Sequence, residues 1–203
     1  MKIIAVGKNY AKHAKEMNSD IPSEPVIFLK PETALLKNNN PLYYPDFTKL
    51  LHYETELIFR ICKIGKNINK KFAHRYYDKI GIGIDFTARD IQNSQKQKGL
   101  PWELAKAFDN SAAISEFVDI SEYKNINNIN FSLDINKKTV QTGNSNDMIF
   151  KIDEIISFVS KYFTLKIGDI IFTGTPEGVG ELKIGDKLSA KIEEKELLTC
   201  EIK

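Results

Sequence analysis

The chain is organised around residues 52–62, which read His-Tyr-Glu-Thr-Glu-Leu-Ile-Phe-Arg-Ile-Cys. The apolar second half of this stretch predicts a β-strand, in which successive side chains point to opposite faces. Glu54 and Glu56 are therefore expected side by side, with Thr55 on the other face. Two carboxylates this close repel each other, and a cation held between them would remove the repulsion. A polar strand face with both carboxylates in water is the alternative, and this stretch alone leaves both interpretations open.

The composition is that of an ordinary globular protein, and it excludes several classes. The chain has 203 residues, of which 42% are hydrophobic and 28% charged, and its net charge is +2. Near-neutral charge gives no support for nucleic-acid or membrane-surface binding. No window approaches the roughly 18 apolar residues of a membrane span, and the two cysteines match no metal-binding spacing. We therefore expect a cytoplasmic enzyme or binding protein. Without a repeat or a dividing linker, we expect one domain over residues 1–203.

A candidate proton-transfer pair precedes the central stretch. Residues 9–17 contain mostly good helix formers, and Asn9 can cap the start of a helix. In such a helix His13 and Glu16 lie on the same side, so the carboxylate can orient the imidazole and raise its basicity. An exposed helix with a charged pair would have the same pattern. Lys30, which ends another apolar run, is either a solvated end charge or a positive group that faces a site.

A third carboxylate follows the central stretch. Residues 80–86, Ile-Gly-Ile-Gly-Ile-Asp-Phe, predict a strand whose glycines allow close approach of another backbone. Asp85 stands at the end of this run and is a candidate third ligand for an ion held by Glu54 and Glu56. Three carboxylates without cysteine or histidine select a hard cation. The ion would then be Mg²⁺, Mn²⁺ or Ca²⁺.

Three polar residues further along the chain, Arg89, Gln92 and Lys106, stand out by their spacing or their setting. Arg89 and Gln92 are expected on one face of a helix that begins near Thr87 or Asp90. Lys106 stands among apolar and small residues. That setting is compatible with a partly buried lysine that binds an anion, although a lysine with its charge in water is the common case.

Four other segments have mainly structural interpretations. Trp102 is expected to pack in the core, and residues 148–163 have the clearest helical periodicity and predict core packing. Residues 131–142 predict a hairpin that turns at 136–138. Residues 173–180 predict a glycine-rich loop that can present backbone N–H groups to an anion, but this loop lacks the lysine and spacing of a P-loop.

Six short motifs follow one another along the chain: Gly7-x-Asn9-Tyr10-x-x-His13, Phe28-Leu29-Lys30-Pro31, His52-x-Glu54-x-Glu56-Leu57, Asp85-x-Thr87-Ala88-Arg89-Asp90, Lys98-Gly99-Leu100-Pro101-Trp102 and Thr173-Gly174-Thr175-Pro176 with Gly178-Val179-Gly180. In this order they resemble the fumarylacetoacetate hydrolase family. The resemblance is closest to its small single-domain branch, which contains acylpyruvate hydrolases and oxaloacetate decarboxylases or tautomerases. It extends from about Lys2 to the C-terminus. Six ordered motifs are a far more specific signal than any one of them.

The resemblance implies both a fold and a site. The family fold is mixed α/β and mainly β, a β-sheet roll with a few short helices, and its members are commonly homodimers. The family's metal, usually Mg²⁺ or Mn²⁺, is held by carboxylates that match Glu54, Glu56 and Asp85. Its catalytic histidine–glutamate pair, on a short lid helix, matches His13 and Glu16.

The resemblance also implies contacts to the substrate. These match Arg89, Gln92, Lys106 and Thr175, and Lys106 is expected to act in catalysis by adding positive charge near the reacting oxygens. One departure from the family is Lys8, where relatives often carry arginine. The charge is kept but the bidentate fork is lost, so substrate specificity could shift at that position.

The activity implied is metal-dependent C–C bond hydrolysis of acylpyruvate-type 2,4-dioxo acids through a metal-stabilised enolate. Oxaloacetate decarboxylase or tautomerase activity would use the same site. His13 would deprotonate the attacking water, and Glu16 would orient His13. The expected partner is a small 2-oxo acid, with no nucleic acid and no membrane. Two alternatives stay open: an isomerase or decarboxylase of unsaturated 2-oxo diacids in aromatic catabolism, and a non-catalytic metal-binding dimer.

Overall fold

The computed structural model of the chain describes residues 1–17 and 20–203. In this part 37% of the chain is strand and 23% is helical, which confirms the mainly β prediction. The strands are β1 (Ile3–Gly7), β2 (Val26–Lys30), β3 (Leu35–Leu36), β4 (Leu51–Tyr53), β5 (Thr55–Ile61), β6 (Tyr77–Asp85), β7 (Thr87–Ala88), β8 (Ala112–Ile114), β9 (Val118–Asp119), β10 (Asn130–Ile135), β11 (Lys138–Asn144), β12 (Ile170–Phe172), β13 (Gly180–Glu181), β14 (Lys187–Ile192) and β15 (Lys195–Glu201).

The strands form a curled eight-stranded sheet, a four-stranded sheet and a three-stranded sheet. The large sheet has the order β2-β1-β12-β5-β6-β8-β3, with β9 also paired to β6, and the second sheet has the order β11-β10-β14-β15. The small sheet has the order β13-β4-β7. Antiparallel β5 and β6 run through the middle of the large sheet, with Leu57 opposite Ile82.

The central stretch is not one strand, which differs from the prediction. Its first part, β4, belongs to the small sheet, and its second part, β5, belongs to the large one. Glu54 lies at the crossing between the two, immediately before β5 begins at Thr55. The reason is that the two parts pair with different neighbours, so the ladder is interrupted between them.

Both faces of β5 are buried. Leu57, Phe59 and Ile61 belong to the main core, while Ile58 packs with Phe172 in a smaller core on the other side. A strand buried on both faces reads as a continuous apolar run, as this one does. The glycines of β6 do permit a close approach: a Cβ on Gly83 would lie only 2.7 Å from the ring of Phe172, and one on Gly81 would lie 3.3 Å from the Glu116 carbonyl oxygen.

The helices are few and short. They are α1 (Ala11–Glu16), α2 (Arg89–Lys98), α3 (Glu103–Lys106) and α4 (Ile152–Tyr162), with 3₁₀ turns at Glu32–Ala34, Lys70–Arg75, Ile120–Glu122 and Ser145–Asp147. The predicted core helix is present as α4, although it is shorter than 148–163. The predicted hairpin is β10–β11, and Asn136 and Lys137 adopt positive φ at its turn, as a type I′ turn requires. None of the described helices is long and apolar enough to cross a membrane.

The first helix starts later than predicted, because the Asn9 side chain binds the backbone of two other segments and does not cap the helix. The Asn9 amide donates to the carbonyl oxygen of Thr173 at 2.7 Å, and its carbonyl oxygen accepts from the backbone N–H of Phe150 at 2.8 Å. Asn9 therefore does not cap α1. It joins the end of β1 to the segments after β12 and before α4, and so fixes where α1 begins.

Candidate metal centre and active site

Three buried carboxylates meet where β5 and β6 lie side by side. Glu54, Glu56 and Asp85 each offer one oxygen, and these oxygens lie within 4.8 Å of one another. All three side chains are buried. The pairing of β5 with β6 brings Asp85 beside Glu54, and the Asp85 N–H donates to the Glu54 carbonyl oxygen at 2.8 Å. The interpretation of Glu54 and Glu56 as a solvated strand face is therefore wrong.

Two basic side chains neutralise Glu54. One oxygen accepts from the guanidinium of Arg89, and the other accepts from Lys106 Nζ at 2.7 Å. Burial opposes the ionisation of Glu54, but the positive charges of Lys106 and Arg89 outweigh burial and hold its pKa well below the usual range. Glu54 is consequently a fixed negative charge.

Two lysines share the carboxylate of Asp85. Lys106 donates to one oxygen at 2.7 Å, and Lys30 Nζ lies 2.7 Å from the other. Lys106 also donates to Thr87 Oγ1 at 2.7 Å, so all three of its N–H bonds are in use. Because its protons are committed in this way, Lys106 supplies fixed positive charge. The structure thus places Lys106 among the three carboxylates, bound to Glu54 and Asp85.

Glu56 is the carboxylate with the least compensation. Its one hydrogen bond among the described residues comes from the backbone N–H of Gly174, at 2.6 Å. Burial, reinforced by the negative charges of Asp85 and Glu54, raises the pKa of Glu56 well above its ordinary value. A cation among the three carboxylates would remove this repulsion.

The three carboxylates fit a hard divalent ion. Their donor atoms are all oxygens, which Mg²⁺, Mn²⁺ and Ca²⁺ prefer. A carboxylate has about four lone-pair sites, so the contacts to Lys106 and Lys30 leave acceptor capacity for a metal. The cavity that the carboxylates line is small, about 30 Å³, which is room for an ion or about two water molecules, and it opens to solvent, so a larger ligand can extend out of it. The acidic cluster could therefore hold a metal ion.

The histidine–glutamate pair lies at the same cavity. His13 and Glu16 are three residues apart on α1, and His13 Nδ1 lies 3.0 Å from Glu16 Oε2. Glu16 Oε1 accepts from the backbone N–H of Gly178 at 3.1 Å, which fixes the carboxylate from its other side. His13 is buried and lines the cavity together with the three carboxylates. Because Glu16 binds Nδ1, the tautomer with its lone pair on Nε2 is favoured.

The predicted substrate contacts Arg89, Gln92 and Thr175 also line this cavity, but they differ in how many of their hydrogen-bonding groups are free to bind a ligand. Arg89 and Gln92 are one turn apart on α2 and bind each other. Thr175 is buried, and its hydroxyl donates to the Thr55 carbonyl oxygen at 2.9 Å while it accepts from Gln141 Nε2 at 2.7 Å. The Thr175 proton is therefore already in use, and what this hydroxyl offers a ligand is an acceptor lone pair.

Sequence reasoning left Lys30 undecided, and the structure places it at the site. Lys30 is fully buried and binds the carbonyl oxygens of Lys106 and Ser111 in addition to Asp85. The sequence signal for a buried Lys30 was its position directly after an apolar run and before a proline. The ion pair itself was not visible, because Asp85 is far away in the sequence.

Two interpretations of local sequence need correction. Trp102 is not a core residue: it is partly exposed, lines the cavity and meets Phe28 edge-on at 6.0 Å between ring centroids. The glycine-rich loop does present N–H groups to anions, but the anions are the protein's own carboxylates, Glu56 and Glu16.

Comparison with known proteins agrees with this geometry. The family model described as fumarylacetoacetate (FAA) hydrolase C-terminal matches residues 2–203. The chain is 43% identical to the oxaloacetate tautomerase YcgM of Escherichia coli K12 over 199 residues, which cover 98% of this chain and 91% of that protein. It is 44% identical to the mitochondrial oxaloacetate tautomerase FAHD1 of Bos taurus over 190 residues, covering 94% and 86% of the two chains.

A solved structure extends the comparison to the fold. The fumarylpyruvate hydrolase from Pseudomonas aeruginosa, crystallised with Mn²⁺ and pyruvate, superposes with a TM-score of 0.94 at 34% identity, covering 100% of this chain and 89% of that one. The family match over nearly the whole chain, the two relatives and this superposition lead to one conclusion. The chain belongs to the fumarylacetoacetate hydrolase family.

Proposed function

We propose that the protein is a divalent-metal-dependent enzyme that moves a proton at C3 of small 2-oxo acids, and that its main reaction is the keto–enol tautomerisation of oxaloacetate. One observation carries this proposal: His13, whose Nδ1 is held by Glu16, lines the same cavity as the three carboxylates. A general base next to a site for a hard cation is the arrangement that enolisation of a 2-oxo acid needs. The relatives named oxaloacetate tautomerase, at 43% and 44% identity, support the choice of substrate.

Glu54, Glu56 and Asp85 are the residues that would hold the ion. A bound divalent cation supplies Lewis acidity toward the oxygens of the 2-oxo acid, which favours loss of a proton from the neighbouring carbon. Lys106 and Lys30 keep Asp85 in place, and Arg89 does the same for Glu54. These contacts hold the carboxylates in position before any ligand arrives.

In this proposal His13 moves the proton. Its Nε2 takes the proton from C3, and the Glu16 carboxylate accepts the Nδ1–H bond and stabilises the imidazolium that results. The oxygen at C2 takes up a proton from water and His13 gives its own proton back to water, which completes the enol and restores the base. Return of the proton to C3 from His13 gives the reverse reaction. The backbone N–H of Gly178 holds the Glu16 carboxylate in place, and Glu16 in turn orients the imidazole of His13.

Hydrolysis of acylpyruvates is the second candidate, and it was the activity first expected from the sequence. The superposition with a fumarylpyruvate hydrolase at a TM-score of 0.94 favours it. Here His13 would take a proton from water, and the water oxygen would bond to the distal carbonyl carbon. The C–C bond would then break to give a carboxylic acid and the enolate of pyruvate, and the proton on His13 would pass to C3 of that enolate to give pyruvate. The same residues serve both reactions. The identity of the substrate therefore decides between them.

Two assays on the purified protein with Mg²⁺ or Mn²⁺ test the proposal. Tautomerisation is followed by the ultraviolet absorbance of enol-oxaloacetate, and hydrolysis by pyruvate released from acetylpyruvate. We expect rapid loss of the enol absorbance, faster than the metal alone produces, and strong loss of that rate in His13→Ala. His74→Ala, at an exposed histidine, is the matched control. Metal binding without acceleration of either reaction would refute the proposal and favour a non-catalytic metal-binding protein.

A further inference from the structure

The cavity is lined by two lysines whose ammonium groups have no carboxylate partner. Lys8 and Lys96 both line it, and neither forms an ion pair with any residue in the described part of the chain. The other basic groups there, Lys106 and Arg89, are each bound to a carboxylate of the cluster. Lys8 and Lys96 are therefore the ammonium groups at the cavity that the described carboxylates leave unpaired.

Lys96 is held in place beside the predicted substrate contacts. It lies on α2 seven residues after Arg89 and four after Gln92, which places all three on one helix face. Its ammonium lies 5.7 Å from the ring centroid of Trp102, an arrangement that restrains the side chain. Burial lowers the pKa of Lys96, and the nearby positive charges of Arg89 and Lys8 lower it further, against a partial offset from the negative charge of Glu54. A bound anion would relieve this cost.

Lys8 is presented in an uncommon backbone conformation. Its φ is +59°, in the left-handed region that a residue with a side chain rarely adopts. The next residue, Asn9, is fixed by hydrogen bonds to Thr173 and Phe150, so the chain cannot relax at this point. Strain of this kind is common at ligand-binding positions.

We propose that Lys96 and Lys8 form a second anion-binding subsite, which holds the distal carboxylate of a dicarboxylic 2-oxo acid. The 2-oxo end of the same molecule would lie against Arg89, Gln92 and the acidic cluster. A monocarboxylic 2-oxo acid leaves this subsite empty, so Lys96 and Lys8 select diacids over monoacids. The inference rests on the proposed function, because it names the substrate class of the same site.

The test compares two ligands that differ at one end. Oxaloacetate and 2-oxobutyrate have the same four-carbon 2-oxo acid skeleton, but oxaloacetate ends in a carboxylate where 2-oxobutyrate ends in a methyl group. The dissociation constants of the Mg²⁺-loaded protein for each are measured by the fluorescence of Trp102, which is the single tryptophan of the chain. Calorimetry measures the same constants independently of the emission. The KM for oxaloacetate is measured in parallel.

Four variants separate the charge from other effects. Lys96→Met keeps the unbranched side chain up to its fourth heavy atom and removes the charge, and Lys96→Arg restores a charge. Lys8→Asn removes the other charge with a residue that tolerates the left-handed region. Lys98→Met, at an exposed lysine of the same helix that does not line the cavity, is the control for net charge.

We expect Lys96→Met and Lys8→Asn each to weaken oxaloacetate binding about tenfold, the loss of one charge-assisted contact. Binding of 2-oxobutyrate should change less than about twofold, Lys96→Arg should recover most of the loss, and Lys98→Met should match the wild type. Equal weakening of both ligands, or no weakening of either, would overturn the subsite. Failure of the proposed function is a separate result: the wild type would bind oxaloacetate with lysine-dependent preference and yet not tautomerise it.

Discussion

The ammonium of Lys30 lies 2.7 Å from Oδ1 of Asp85, and both side chains are withdrawn from solvent. Lys30 also donates to two backbone carbonyl oxygens and to the Ser111 hydroxyl, so its three N–H bonds are satisfied by the protein. A buried charge that loses its partner is strongly destabilising, whereas an intact pair need not add net stability. The pair therefore positions Asp85. Removal of either partner alone is expected to destabilise the fold.

Substitution of Lys30 tests this relationship. We expect Lys30→Met to lower the free energy of unfolding by about 3 kcal/mol, because it leaves polar groups without their partner in the interior. Urea denaturation measures the change. Lys195→Met removes an exposed pair with Glu122 and should cost less than about 1 kcal/mol. A Lys30→Met protein as stable as the Lys195→Met control would contradict the assigned role.

Substitution of Glu56 should have opposite effects with and without metal. Glu56→Gln removes a repelling charge and can keep the hydrogen bond from Gly174, so the metal-free protein should become more stable by about 1 kcal/mol. The same change removes a metal ligand, so the stabilisation by excess Mg²⁺ should be largely lost. Thermal unfolding with and without Mg²⁺ measures both. Glu181→Gln, at an exposed carboxylate, should leave both values unchanged.

The contribution of Glu56 to the free energy of unfolding depends on pH, and the direction follows from the sign of its pKa shift. Its folded-state pKa is raised above the unfolded value, so the folded state holds the proton more tightly. The metal-free protein should therefore lose stability as the pH rises from the unfolded pKa through the raised folded pKa. Glu56→Gln should flatten this part of the stability curve. Wild-type and variant curves of equal slope would show that Glu56 does not titrate in this way.

Glu16 should affect turnover and leave metal binding intact. Glu16→Gln can keep a hydrogen bond to Gly178, but it no longer stabilises a protonated His13. We expect kcat for oxaloacetate to fall by about 10- to 100-fold, within the usual contribution of general acid–base catalysis, while Mg²⁺ affinity stays the same. Steady-state kinetics and calorimetry measure the two. Unchanged kcat would remove Glu16 from the mechanism, and the exposed Glu24→Gln variant is the control.

Cys200 should be chemically silent in the folded protein. Burial raises the pKa of its thiol to about 11, so about one part in a thousand is thiolate at pH 8. We expect a disulfide reagent at pH 8 to label Cys200 after unfolding and to leave it unmodified in the native state. Mass spectrometry of native and denatured samples reads the labelled position. Rapid native labelling at Cys200 would contradict its buried position beside Leu42.

Local spacing was enough to predict several parts of this site. His13 and Glu16 are three residues apart on a helix, so their contact depends only on the helix forming. The apolar run after Glu56 predicts a strand, present as β5, and the periodicity of residues 148–163 predicts a core helix, present as α4. The ordered motifs added the family, which the comparisons confirmed. All of these are relations within one element or along the chain.

The tertiary structure alone decided which elements meet. The pairing of β5 with β6 brings Asp85 to Glu54, and the packing of β2 and α3 brings Lys30 and Lys106 to the same carboxylate. It also decided which charges have partners, because Lys106 is neutralised and Lys96 is not. The physical reason is the range of each interaction. Side-chain direction within an element follows from backbone geometry, whereas ion pairs and burial depend on strands and helices that are distant in sequence.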